Sequence, residues 1–299
     1  MIKIKYTCFW PDFNQNDFFI NDMIQKDYKI VTDDSYDVII MSVFNYQNLK
    51  VKENSIKILF NGEHPSYIDR FLLITGIKLN LIIGFTTSNQ IPGTMQVYYP
   101  LWILYYDKTY SQEYFDKVNN NLKNVKKQDL LNKKFCCIIN SHDTNNTRIP
   151  IYANLIKYDK IDCPGKLLHN MNSIGNSSED KIKFMGDYKF NICSENGKGF
   201  QYMTEKLPQC IDAFCIPLYY GDMGPINTKI FNKNRIINIT DTNNISDEIE
   251  IIKMLLEKPE ELLKFYRQPI FKDGSYKYIK QIKENARIAI EKLINSHSK

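Results

Sequence analysis

The chain has 299 residues, 43% of them hydrophobic and 24% charged, enough to bury a sizeable core in two domains. Its 39 basic and 34 acidic residues leave a formal charge of +5 carried by scattered lysines; no DNA- or RNA-binding signature occurs, so a nucleic-acid partner is not expected. Seven cysteines, with Cys136 next to Cys137 and no C-x-x-C pair, suggest buried thiols in a reducing compartment rather than a disulfide framework or a thiolate zinc site.

Lys3 to Phe9 alternates as a strand and soon meets Pro11 and Asp12, which reads as folded structure rather than a signal peptide. Phe18 to Gln25 follows as a helix and Val38 to Val43 as a buried strand. Ser55 to Phe60 is a strand ending at the loop signal Asn61-Gly62, and Leu81 to Phe85 is a further apolar run before the turn at Pro92-Gly93. Such βα alternation predicts an open parallel sheet. From about Asp107 to Lys134 the chain turns polar and helix-prone, and the domain boundary is placed there. A second βα series begins with Lys134 to Asn140, and residues 246–267 hold two short helices, the second opening at Pro259. Ser275 to Ile294 reads as an amphipathic helix with Ile279, Ile282, Ala286, Ala289, Ile290 and Leu293 on one face. The expected division is 1–115, 116–275 and a C-terminal helix, 276–299, packing back on the fold. No apolar run reaches the length of a membrane span, so a soluble, cytoplasmic protein without stable membrane insertion is expected.

The stretch YKFNICSENGKGFQYMTEKLPQCIDAFCIPLYYGD, residues 188–222, carries the most chemistry. It reads as a strand, a glycine-containing loop, a helix opening near Glu205 and Lys206, and a short strand from Cys215 to Tyr220 closed by Gly221. A helix N-terminus with a lysine suits phosphate, and Glu205 can accept two hydrogen bonds from a ribose diol, so a nucleoside diphosphate fits this chemistry. A Glu-Lys pair at a helix start is also ordinary surface chemistry, and the spacing is neither a Walker loop nor a dinucleotide fingerprint.

As a whole the stretch resembles the signature of the α-1,3/4-fucosyltransferases, which use GDP-fucose. The matches are Tyr188-Lys189-Phe190, Glu195-Asn196, Tyr202, Thr204-Glu205-Lys206, Pro217 and Gly221. Two features depart from that pattern: Ser194 stands where an aromatic residue precedes Glu-Asn, and Pro208 falls in the first turn of the helix, where proline is tolerated. The resemblance extends over residues 1–270 and implies a GT-B fold, two Rossmann-like domains facing each other across a cleft. It also implies a metal-independent inverting glycosyltransferase moving L-fucose to a glycan hydroxyl, α-1,3 to N-acetylglucosamine or glucose.

The resemblance assigns residues as well. In KFCCIINSHDTNNTR, Ser141 and Arg148 match the family's second-domain opening, with His142 in place of an asparagine; Arg148 is then a partner of the donor pyrophosphate. Asn196, Tyr202, Glu205 and Lys206 join Glu195 as donor ligands. In Asn61-Gly62-Glu63-His64-Pro65, Glu63 matches the family's general base, a role an inverting transfer requires, with Glu195 as the competing carboxylate. Tyr99 and Trp102 are available either to stack on sugars or to fill the core. Four histidines, without His-x-x-His or Asp-x-Asp spacing, suggest no metal site, leaving Lys206 and Arg148 to offset the leaving group's charge. Two other readings stay open on these residues: a transferase for a different nucleotide sugar, and a glycan-binding relative without turnover.

Overall fold

The structure, a computed structural model, describes residues 1–106 and 109–297; Asp107, where the stretch expected to hold the domain boundary begins, lies outside them. Two compact units result: Met1–Leu104 with Gly199–Tyr202 and Lys277–Lys299, and Tyr105–Lys198 with Met203–Tyr276.

The first unit is built on six strands: β1 (Ile2–Thr7), β2 (Tyr28–Ile30), β3 (Val38–Met41), β4 (Ile56–Asn61), β5 (Leu81–Gly84) and β6 (Met95–Tyr98). They pair in parallel in the order β2-β1-β3-β4-β5-β6. Parallel strands covered on both faces become continuous apolar runs, and β3, β4 and β5 are buried throughout. Lys57 of β4 tolerates this because its ammonium reaches the carbonyls of Glu53 (2.6 Å) and Ser55 (2.9 Å). The expected helix at Phe18–Gln25 contracts to Phe19–Asp22, while Ser66–Thr75 packs Ile68 and Phe71 against Ile39, Leu59 and Ile82. Residues 277–297 of the last helix, Tyr276–His297, belong here, with Ile279, Ile282, Ala286, Ala289 and Ile290 buried.

The second unit holds β7 (Lys134–Cys137), β8 (Ile161–Asp162), β9 (Tyr188–Ser194), β10 (Ile216–Tyr220) and β11 (Ile237–Asn238), parallel in the order β11-β10-β9-β7-β8. The strand order reverses between β7 and β9, the switch point at which open α/β sheets admit ligands beyond the strands' carboxyl ends. The polar, helix-prone stretch holds a packed helix, Gln112–Lys123. Its Phe115 stacks on Phe271 at 3.8 Å, and Asn119 donates to the Phe271 carbonyl at 2.8 Å. Helices Ser246–Glu257 and Pro259–Tyr266 stand where the sequence places them. All seven cysteines are free, and burial pushes the thiols of Cys136, Cys137 and Cys210 well above their ordinary range.

Candidate functional site

At the β7/β9 switch point the second unit opens a cavity of about 470 Å³. Its wall is contributed by the carboxyl ends of β7 (Asn140, Ser141, His142), β8 (Pro164, Gly165, Lys166) and β9 (Cys193, Asn196), together with Arg148, Glu205 and Lys206. Gly165 is required by geometry: a Cβ there would fall on the Asn140 carbonyl oxygen, which also accepts the Leu167 N–H at 3.0 Å, so the β7 and β8 loops meet without a side chain between them.

Arg148 precedes the helix Ile149–Leu155 and is 2% exposed. Its guanidinium donates to the His142 carbonyl, to the Ser194 carbonyl at 3.3 Å and to Asn196 Oδ1 at 2.5 Å, tying the β7 loop to the β9 loop. The start of that helix is held by Asp143, whose carboxylate accepts the N–H groups of Thr147 (2.8 Å), Arg148 (3.1 Å) and Ile149 (2.8 Å). The donors that would attract an anion there are thus taken by a carboxylate of the same loop.

The helix expected at Glu205–Lys206 is short, Lys206–Asp212, and Pro208 is accommodated in its first turn. The N–H of Thr204, just before it, donates to Glu195 Oε1 at 2.8 Å. Positive charge at this point therefore comes from Lys206 itself. Its ammonium lies 3.2 Å from Glu195 Oε2, 2.8 Å from Thr204 Oγ1 and 3.8 Å from Glu205 Oε1. Burial pulls against its charge, but the carboxylates of Glu195 and Glu205 outweigh burial and hold the Lys206 pKa above the ordinary lysine range, against repulsion from Arg148.

Of the residues singled out from sequence, Ser141, Arg148, Asn196, Glu205 and Lys206 come together on one cavity wall. Glu195 is fully buried and is not among the lining residues. Tyr202 lies in the first unit, 2% exposed, its ring 5.1 Å from His64 and 4.8 Å from Phe85, with Gly199 against His64 and Pro65. Glu63 follows β4, also in the first unit. Asn61, fully buried, shapes the turn: its amide donates to the Glu63 carbonyl at 3.0 Å and the Phe85 carbonyl at 3.2 Å, while its oxygen accepts the Glu63 N–H at 3.2 Å. Tyr99 and Trp102 are core residues, 1% and 0% exposed, with Tyr99 stacked on Phe19 at 4.4 Å. Lys166, Asn176, Lys181 and Gly165, not singled out from sequence, also line the cavity. Gly165 was the one with a signal: Cys163-Pro164-Gly165 directly after a strand marks a tight loop end. Among the described residues, no three of His, Cys, Asp and Glu form a metal-holding group, and no helix is long and apolar enough to cross a membrane.

Comparison with known proteins places the chain in a family. The family model "Glycosyltransferase family 10 (fucosyltransferase) C-term" matches residues 128–288, and "Alpha-(1,3)-fucosyltransferase FucT N-terminal domain" matches residues 4–105. The alpha-(1,3)-fucosyltransferase FucT of Helicobacter pylori is 31% identical over 127 residues, 42% of this chain and 26% of that protein. A putative fucosyltransferase of Acanthamoeba polyphaga mimivirus is 27% identical over 288 residues, 91% of this chain and 43% of that protein. The chain thus spans less than half the length of these curated relatives. A crystal structure of alpha1,3-fucosyltransferase with GDP-fucose shares the fold, with a TM-score of 0.64 at 20% identity over 95% of this chain and 90% of that one. With one family model covering more than half of its residues, the chain belongs to glycosyltransferase family 10, the fucosyltransferases, and has their GT-B fold.

Proposed function

We propose that the chain transfers L-fucose from GDP-fucose to a hydroxyl of a glycan acceptor, with inversion and without a metal ion, forming an α-1,3 linkage to an N-acetylglucosamine or glucose unit. The observation that carries this reading is the cavity at the β7/β9 switch point of a family 10 chain, where Arg148, Lys206 and Glu205 share one wall. A diphosphate calls for clustered cations and a ribose diol for a carboxylate acceptor, and the same fold is known in complex with GDP-fucose.

In this reading Lys206 and Arg148 hold the pyrophosphate, Glu205 the ribose, and Asn196 and Ser141 complete the polar wall. The acceptor oxygen attacks C1 of the fucose from the face opposite the nucleotide. Glu63 takes the acceptor's proton as the new C–O bond forms, and the bond from C1 to the β-phosphate oxygen breaks, its electron pair leaving with GDP. The two cations offset the charge that develops on the diphosphate, which is the task a divalent ion performs in other transferases.

The test is calorimetric titration of the purified chain with GDP, UDP and GDP-fucose, followed by a donor-hydrolysis assay with and without chelator. Preferential guanine-nucleotide binding and slow fucose release, insensitive to chelation, are expected. Tighter binding of UDP than of GDP ends the fucose assignment. Lys206→Ala should weaken GDP binding by about 1.5–3 kcal/mol, the worth of a charge-assisted hydrogen bond.

A further inference from the structure

Glu195 belongs to the donor signature, yet it is buried and does not line the cavity. The residue is 0% exposed, and its two oxygens are held by Thr204 and Lys206: Oε1 accepts the Thr204 N–H at 2.8 Å, while Oε2 accepts the Thr204 hydroxyl at 2.7 Å and the Lys206 ammonium at 3.2 Å. The same hydroxyl accepts from Lys206 Nζ at 2.8 Å, closing a triangle of carboxylate, hydroxyl and ammonium.

The backbone of residue 195 is equally fixed. Its N–H donates to the Tyr220 carbonyl at 2.8 Å, and its carbonyl accepts the hydroxyls of Thr147 (3.2 Å) and Ser194 (3.0 Å). Gly221 leaves the space the carboxylate needs: a Cβ there would come within 2.9 Å of Glu195 Cγ and would fall on the Tyr219 hydroxyl. An ammonium carries three donors. Two of those of Lys206 are aimed at Glu195 and Thr204, which fixes the direction of the third, and Lys206 lines the cavity whereas Glu195 and Thr204 do not.

We infer that Glu195 is a positioning residue that acts through Lys206 and Thr204 and does not touch the donor. The inference rests on the donor reading above and takes a different view of Glu195 from the direct donor contact that the resemblance implies. A buried carboxylate holds its counter-ion because leaving it unpaired is costly. The long, flexible lysine is thereby ordered before the diphosphate arrives, and GDP binding need not order it.

The experiment is calorimetry on the full chain, Glu195→Gln, Lys206→Met and the double variant, each with GDP and, by competition, with guanosine. Failure of the parent chain to bind GDP overturns the donor reading, and this inference falls with it. Where the parent binds, Glu195→Gln is expected to weaken GDP by about tenfold or more, to leave guanosine within about twofold, and to have no further effect once Lys206 is methionine. Equal losses for GDP and guanosine, additive losses in the double variant, or unchanged or tighter GDP binding would each overturn the inference. If Glu195→Gln fails to fold by circular dichroism, Thr204→Val breaks the same triangle at its neutral corner. It carries the same expectations, and the same outcomes refute it.

Discussion

Arg148→Lys separates the charge of this side chain from its shape. The guanidinium spans three acceptors, the His142 and Ser194 carbonyls and Asn196 Oδ1, on two different loops. A lysine ammonium retains the charge but not the planar fork, and from one point it reaches one or two of the three. A hydrogen bond to a charged group is worth about 1.5–3 kcal/mol, so losing one or two predicts a destabilisation of about 1.5–6 kcal/mol. Urea unfolding followed by far-ultraviolet circular dichroism reads this as a lower midpoint at unchanged slope. GDP affinity, measured where the variant remains folded, should fall by about tenfold, because the β7 and β9 loops that shape the cavity are no longer tied. A destabilisation below about 1 kcal/mol would refute the strut role and leave Arg148 as a charge alone.

Three other perturbations have definite expectations. Burial pushes the Asp212 carboxyl up to about 6, with the Tyr114 hydroxyl, which donates to it at 2.7 Å, offsetting part of that push. The folded state then binds this proton more tightly than the unfolded chain, so the stabilisation is complete below about pH 4 and is lost as pH rises through about 6. Asp212→Asn should remove that slope and raise stability at pH 7.5 by up to about 3 kcal/mol; parallel melting curves for parent and variant from pH 4.5 to 7.5 would refute the assignment. Gly165→Ala drives a methyl group onto the Asn140 carbonyl. It should cost about 1–3 kcal/mol of stability together with GDP affinity, and an unchanged melting temperature would show that the two loops can part freely. Glu63→Gln should leave GDP affinity unchanged and lower turnover by at least about a hundredfold; retained turnover would move the base role to another group.

Much of the sheet architecture is legible in the chain because strands buried on both faces are written as apolar runs, as in Val38–Met41 and Leu81–Gly84. The edge strands Tyr28–Ile30 and Met95–Tyr98 have no such signature, since they are short and only partly buried. Helix Ser66–Thr75 opens after Pro65 without a side-chain cap and closes on Gly76 in the left-handed region, so its local marks are a proline before it and a glycine after it rather than a capping box. The cavity wall shows a similar division. Glu205 and Lys206 are readable because they sit at a helix start after a glycine-containing loop. The burial of Glu195 depends on how the loop after β9 folds Thr204 back onto it, and the strut made by Arg148 depends on the Ser194 carbonyl, which the pairing of β7 with β9 brings within reach. The seating of Tyr202 beside His64 and Phe85 depends likewise on residues more than a hundred positions away in sequence.

The brief detour of Gly199–Tyr202 into the first unit bears on how such proteins can be recombined. The chain passes from one unit to the other at 104/105, 198/199, 202/203 and 276/277, so neither unit is a contiguous segment. A chimera that exchanges residues 105–276 for those of a relative also carries a foreign tetrapeptide. Its tyrosine must then settle against His64 and Phe85, its glycine against His64 and Pro65, and its 201 carbonyl against the Tyr98 hydroxyl, 3.1 Å away in this chain. These four residues work as a compatibility tag between donor and recipient sequences, and a graft that respects them must move His64, Pro65, Phe85 and Tyr98 together with the segment they receive.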